Sequence, residues 1–132
     1  MNYLKYFESY KNGLIDDIKD IFMELKDEKG FNVSFIGQVN KRKSIKFIIT
    51  IKKNGGIHWF VWSDIEDTIY RLLDFYYSQK PDGNIDFYNN ESSYSFDKGK
   101  FAKGHKSEED FKKDMWIGSY TRFTNIKLIV DI

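Results

Sequence analysis

Cysteine is absent from this 132-residue chain, and histidine and proline are scarce. Without cysteine, disulfides, thiolate metal centres and thiol catalysis are excluded. The two histidines, His58 and His105, fall on separate predicted elements, so no metal-ligand or Ser-His-acid spacing can be recognised. The sequence therefore predicts no catalytic residue, no metal ligand and no cofactor, and it favours a protein that is not an enzyme.

Net charge and long apolar runs are also missing. The 21 basic residues oppose 20 acidic residues, which leaves a net charge of +1. This balance argues against a protein dedicated to nucleic acid, and equally against an acidic DNA mimic. The apolar runs are too short to span a membrane, and the N-terminus lacks the apolar stretch of a secretory signal. We therefore expect a chain that is not secreted and has no membrane partner.

The hydrophobic pattern that is present favours an α+β fold, in which an antiparallel sheet packs against helices. The predicted order is α-β-β-β-α, then short strands, a short helix and a final strand. Residues 1–12 are expected to form an arm or a short helix, and residues 13–132 a single domain. The first predicted elements are a helix over 14–29 closed by Gly30, and strands over 31–39, 44–52 and 57–62 joined by turns at 40–43 and 54–56. A second helix follows, with a capping box at Ser63 and Glu66 and a buried stripe of Ile65, Ile69, Leu72, Leu73 and Tyr76. The chain then continues with short strands at 85–87 and 94–96, a loop over 97–106, a short helix near 108–116, and a strand over 121–131.

The third strand, over 57–62, has no polar face. It is predicted either to be covered on both sides or to expose one face, with His58, Phe60 and Trp62, to a protein partner. Trp116 and Tyr120, on either side of Gly118, form a second candidate pair of interface anchors. These five residues are the candidate protein interface.

Two basic segments are candidates for nucleic-acid contact. They comprise Lys41, Arg42, Lys43 and Lys46 in the first, and Lys98, Lys100, Lys103 and Lys106 in the second. Lysines in such segments could contact phosphate, with nearby aromatic rings available for stacking. Alternatively, they keep exposed strand faces in water and protect the sheet from edge pairing, which the near-zero net charge favours.

The N-terminal segment Met1-Asn2-Tyr3-Leu4-Lys5-Tyr6-Phe7-Glu8-Ser9-Tyr10 resembles the tag that directs proteins into the proheads of T-even-like tailed phages. In that family an aromatic-Glu pair precedes the cleavage point, and Phe7-Glu8 would occupy that place. The resemblance covers about ten residues. It implies a virion or packaged protein of a phage with an AT-rich genome.

Two further resemblances concern the order of elements. The α-β-β-β-α order of residues 14–79 is similar to that of a double-stranded RNA-binding domain, although the second helix opens with Asp64, Glu66 and Asp67 instead of lysines. The Asn54-Gly55 hairpin and the acidic segment 107–111 resemble the layout of small phage inhibitors of CRISPR nucleases. The last resemblance implies a protein that binds a host defence complex.

Together these observations favour a non-enzymatic phage protein that acts by binding protein, most simply a minor virion or assembly component. Its partner would be a phage structural protein or a host protein, and its location the virion or the host cytoplasm. Two alternatives are an inhibitor of a host enzyme or defence complex, and a weak nucleic-acid-binding accessory protein. The sequence does not define an oligomeric state.

Overall fold

The N-terminal part of the domain is helical. A computed structural model describes residues 13–39, 45–53, 59–88, 93–97, 100–101 and 123–132. Helix α1 covers residues 13–21, and helix α2, Met23–Asp27, follows after a turn at Phe22. The single helix predicted over 14–29 is therefore two helices, because the Phe22 amide bonds the Lys19 carbonyl at 3.1 Å, a tighter spacing than that of an α-helix.

Six strands form one antiparallel sheet, which confirms the predicted α+β class. They lie in the order β1-β2-β6-β3-β4-β5, so the last strand of the chain is inserted between β2 and β3. After α2, Gly30 has a φ of 70°, a conformation that glycine adopts without strain, and the chain then enters the sheet. The strands are β1, Phe31–Val39; β2, Ile45–Lys53; β3, Asn84–Tyr88; β4, Ser93–Asp97; β5, Lys100–Phe101; and β6, Asn125–Asp131.

One face of the sheet is covered by the helices and carries the core. Alternate residues of β1, β2, β3 and β6 point to this covered face, as the two-residue period of a strand requires. The register aligns them across strands, with Ile49 opposite Leu128 and Leu128 opposite Phe87. A single cluster of buried side chains extends from Leu14 in α1 to Ile132 after β6.

The second long helix, α3, spans Glu66–Gln79 and buries Ile69, Leu72 and Tyr76, as the spacing predicted. Its predicted capping box is wrong. Ser63 lies inside a short 3-10 helix, η1, Trp62–Asp64, and α3 begins without a side-chain cap. Instead, the Asp64 carboxylate accepts a hydrogen bond from the Val61 amide at 3.0 Å, which fixes the entry into η1.

The Tyr76 hydroxyl ties the end of α3 to two strands. It donates to the Asp131 carbonyl of β6 at 2.5 Å and accepts from the Asn84 amide of β3 at 3.1 Å. Gly83 lies directly beneath the ring, and a Cβ at that position would stand 2.6 Å from the Tyr76 Cζ. Glycine is therefore required there by the close approach of the tyrosine.

Two of the predicted elements differ in the structure. Where a strand was expected over 57–62, the described residues contain only an isolated bridge between Phe60 and Phe123 before η1 begins. Within the expected loop 97–106, Lys100 and Phe101 form the short strand β5 against β4. Five other predicted features lie outside the described residues: the arm at 1–12, the turns at 40–43 and 54–56, the helix near 108–116, and the rest of the predicted loop, at 98–99 and 102–106.

Candidate functional site

The face of the sheet opposite the core carries an apolar row. Ile36 of β1 lies opposite Ile48 of β2, and Ile48 lies opposite Ile129 of β6. None of the three belongs to the core cluster. Ile36 is 53% exposed, and the other two are half-buried. We call this side of β1, β2, β6 and β3 the open face.

Polar residues surround this isoleucine row. On one side, Lys46 and Asp131 lie opposite each other in the register and form an ion pair at 3.4 Å. On the other side, Thr50 pairs with Lys127, and Lys127 pairs with Tyr88 of β3, which is 38% exposed. The open face therefore has an apolar centre and a polar border, the arrangement of many protein-binding surfaces.

Two of the residues predicted to form a protein interface lie instead in the core. Phe60 and Trp62 are each 1% exposed. Phe60 packs edge-on against Phe31, and Trp62 packs against Phe87 with ring centroids 6.0 Å apart. The core covers both side chains, so the interface interpretation of these two residues is wrong. His58, Trp116 and Tyr120 lie outside the described residues.

Among the predicted nucleic-acid contacts, the structure describes the side chain of Lys46 alone. Its ammonium is occupied by Asp131 on the neighbouring strand. At the other end of β2, Lys53 donates to the Lys29 carbonyl at 3.1 Å and lies 4.3 Å from the centre of the Phe31 ring. Lys100 belongs to β5, and the remaining six, Lys41, Arg42, Lys43, Lys98, Lys103 and Lys106, lie outside the described residues. Lys46 and Lys53 of β2 therefore serve contacts within the chain, whereas Lys52 on the same strand is exposed.

Perturbed acid–base groups are few in the described part of the chain. Burial, with the charge of Asp131 acting in the same direction, raises the pKa of the Tyr76 hydroxyl far above its ordinary value. Burial and the neighbouring Asp67 raise the pKa of Glu66. The described residues contain no cluster suited to a metal ion. No described helix is long and apolar enough to cross a membrane.

The isoleucines of the open face were missed by the sequence reasoning, although a signal for them exists. Ile48 stands between Phe47 and Ile49, and Ile129 stands between Leu128 and Val130. In each strand these isoleucines take a position that the alternation assigns to a polar residue. Apolar residues in the polar phase of a strand indicate a second face that is partly removed from water.

Comparison of the chain with protein-family models, with curated proteins and with solved structures finds no match.

Proposed function

We propose that the protein acts by binding another protein through the open face. The observation that carries this proposal is the aligned row Ile36–Ile48–Ile129, which lies outside the core and remains partly accessible to water. Fully burying an isoleucine contributes roughly 1.5–3 kcal/mol relative to leaving it exposed. Covering the exposed parts of this row would therefore favour association, whereas the border of Lys46, Asp131 and Lys127 would fix its orientation.

The N-terminal resemblance suggests the class of partner. In this hypothesis the partner is a structural or assembly protein of a phage particle, and the chain is a minor component of that particle. Detection of the chain in purified particles would support this version. Recovery from infected cells, but never from purified particles, would contradict it and leave a host protein as the partner. The nucleic-acid alternative is not favoured, because Lys46 and Lys53 are engaged within the chain.

A capture experiment with matched variants tests the open face. Ile129→Lys places a charge at the β6 end of the row, and Gln79→Lys adds the same charge at an exposed position at the end of α3. Tagged full-length chains would be mixed with extract of infected cells, cross-linked and analysed by mass spectrometry. We expect a protein that is enriched by the wild type and by Gln79→Lys but lost with Ile129→Lys. Recovery of the same proteins by all three chains would contradict the proposal.

A further inference from the structure

Strand β1 has an unusual composition for the edge of a sheet. It is nine residues long, and its sequence, FNVSFIGQV, contains neither a charged residue nor a proline. Edge strands are commonly protected from pairing by lysine, proline or a short length. Here the inner neighbour β2 carries the charges, at Lys46, Lys52 and Lys53, and the edge strand has none.

The outer edge of β1 presents main-chain groups for pairing. Among the described residues, β1 pairs with β2 alone, so every second residue points its N–H and C=O away from the sheet. Two of its side chains are also the most exposed large apolar side chains among the described residues, since Ile36 is 53% and Val39 is 70% exposed. A strand added at this edge would satisfy the main-chain groups and place a side chain beside each of these residues, which lie on opposite faces of β1.

We propose that β1 pairs with β1 of a second copy of this chain, antiparallel and about a two-fold axis at Ile36. An uncharged strand can meet its own copy without like-charge repulsion, and the net charge of +1 adds little repulsion between whole chains. Two-fold pairing is self-complementary, and it places the helix-covered faces of both copies on the same side.

The side chains of β1 fit this register. With Ile36 opposite the second copy's Ile36, Val39 lies opposite the second copy's Val33, so each exposed apolar residue gains an apolar neighbour. Phe35 lies opposite the second copy's Gly37, whose Cβ position has no atom within 4 Å. The glycine leaves room beside the Phe35 ring, which already stacks on Phe47 of its own chain with ring centroids 5.7 Å apart.

This pairing deepens the proposed function, because it joins the two open faces. The strands β1, β2, β6 and β3 of one copy offer a surface of about 450 Å², calculated from the spacing and rise of strands. A stable protein interface buries about 800 Å² on each partner. Two paired copies would carry one continuous row of six isoleucines across about 900 Å².

Cysteine cross-linking tests the register directly, since the chain has no cysteine of its own. The variant Ile36→Cys places two thiols on the axis, within the distance that a disulfide requires. Val39→Cys is the matched control on the same strand, because its two thiols would stand far apart. We expect mild oxidation to convert most of the Ile36→Cys chain to a covalent dimer and little of the Val39→Cys chain. Equal cross-linking of both variants would overturn the register.

Charge variants at the same position test the pairing itself. The purified wild type should sediment with about twice the 15.8 kDa mass of one chain. Ile36→Glu and Ile36→Lys should each sediment as single chains, and an equimolar mixture should restore the dimer. Circular dichroism would check that both variants fold, and Ile36 lies outside the core.

A wild type that sediments as a single chain throughout the micromolar range would overturn the pairing. Because this experiment uses the chain alone, that result would leave the open face as a surface for another protein. The opposite result is also possible. If the wild type is a dimer but the Ile129→Lys variant still captures the same partners, the proposed function would be overturned and the β1 pairing would stand.

Discussion

Ile48 and Ile49 are neighbours on β2, yet they lie on opposite faces of the sheet. Ile49 is fully buried beneath the helices, between Phe35 of β1 and Leu128 of β6. Ile48 is half-buried on the open face, between Ile36 and Ile129. The same residue type therefore serves two purposes on one strand. One face holds the fold together, and we infer that the other is kept for association.

The largest expected effect on stability is at Trp62, and the matched comparison is Trp59, three residues before it. Trp62 is buried and contacts Tyr70 and Phe87, whereas Trp59 is 40% exposed. We expect Trp62→Ala to lower the free energy of unfolding by about 3–5 kcal/mol, because it empties a large volume in the core. Trp59→Ala should cost about 1 kcal/mol or less. Urea denaturation of both variants checks this, and equal losses would contradict the placement of Trp62 in the core.

A smaller effect is expected from the Tyr76 hydroxyl. Tyr76→Phe keeps the ring but leaves the Asn84 amide and the Asp131 carbonyl without this partner. We expect a loss of about 1–3 kcal/mol, the cost of leaving such buried groups unsatisfied. The alternative variant Leu73→Ile, at a half-buried position on the same helix, serves as a control with little expected loss. A Tyr76→Phe chain as stable as the wild type would contradict the role of this hydroxyl.

The pH dependence of stability is a second test of the role of the Tyr76 hydroxyl. The folded chain favours the neutral phenol, since burial raises the pKa of Tyr76 above the ordinary tyrosine value of about 10. Its contribution to stability is therefore fully present below about pH 10 and is lost as the pH rises above that value. We expect the difference in unfolding free energy between the wild type and Tyr76→Phe to shrink in this alkaline range. A constant difference would contradict the assignment.

The covered face could largely be predicted from the sequence. Strand alternation identified β1, β2 and β6, and helical spacing identified the buried stripe of α3, because both follow from local side-chain periodicity. The insertion of β6 between β2 and β3 could not be predicted in this way, since it depends on pairing between residues that are far apart in sequence. The strand predicted over 57–62 was wrong for a related reason. An apolar run without a polar face is compatible with a buried strand and equally with a buried segment of another conformation.

The candidate site was harder to predict than the core. The lack of a polar face in segment 57–62 predicted Phe60 and Trp62 as interface residues, but the structure buries both. Ile48 and Ile129 were overlooked because each stands between two core residues and looks like part of the same apolar run. Their exposure depends on which side of the sheet the helices cover, and that is settled by packing between distant elements.

The most direct test of the account compares Ile48→Thr with Ile49→Thr by urea denaturation. Threonine keeps the β-branched shape that strands favour, so the two variants differ chiefly in the face that receives the hydroxyl. The account predicts that Ile49→Thr lowers the free energy of unfolding by at least about 2 kcal/mol more than Ile48→Thr, because its hydroxyl enters the core. Equal losses would contradict the account, since Ile48 would then support the fold as Ile49 does and the open face would not be reserved for a partner.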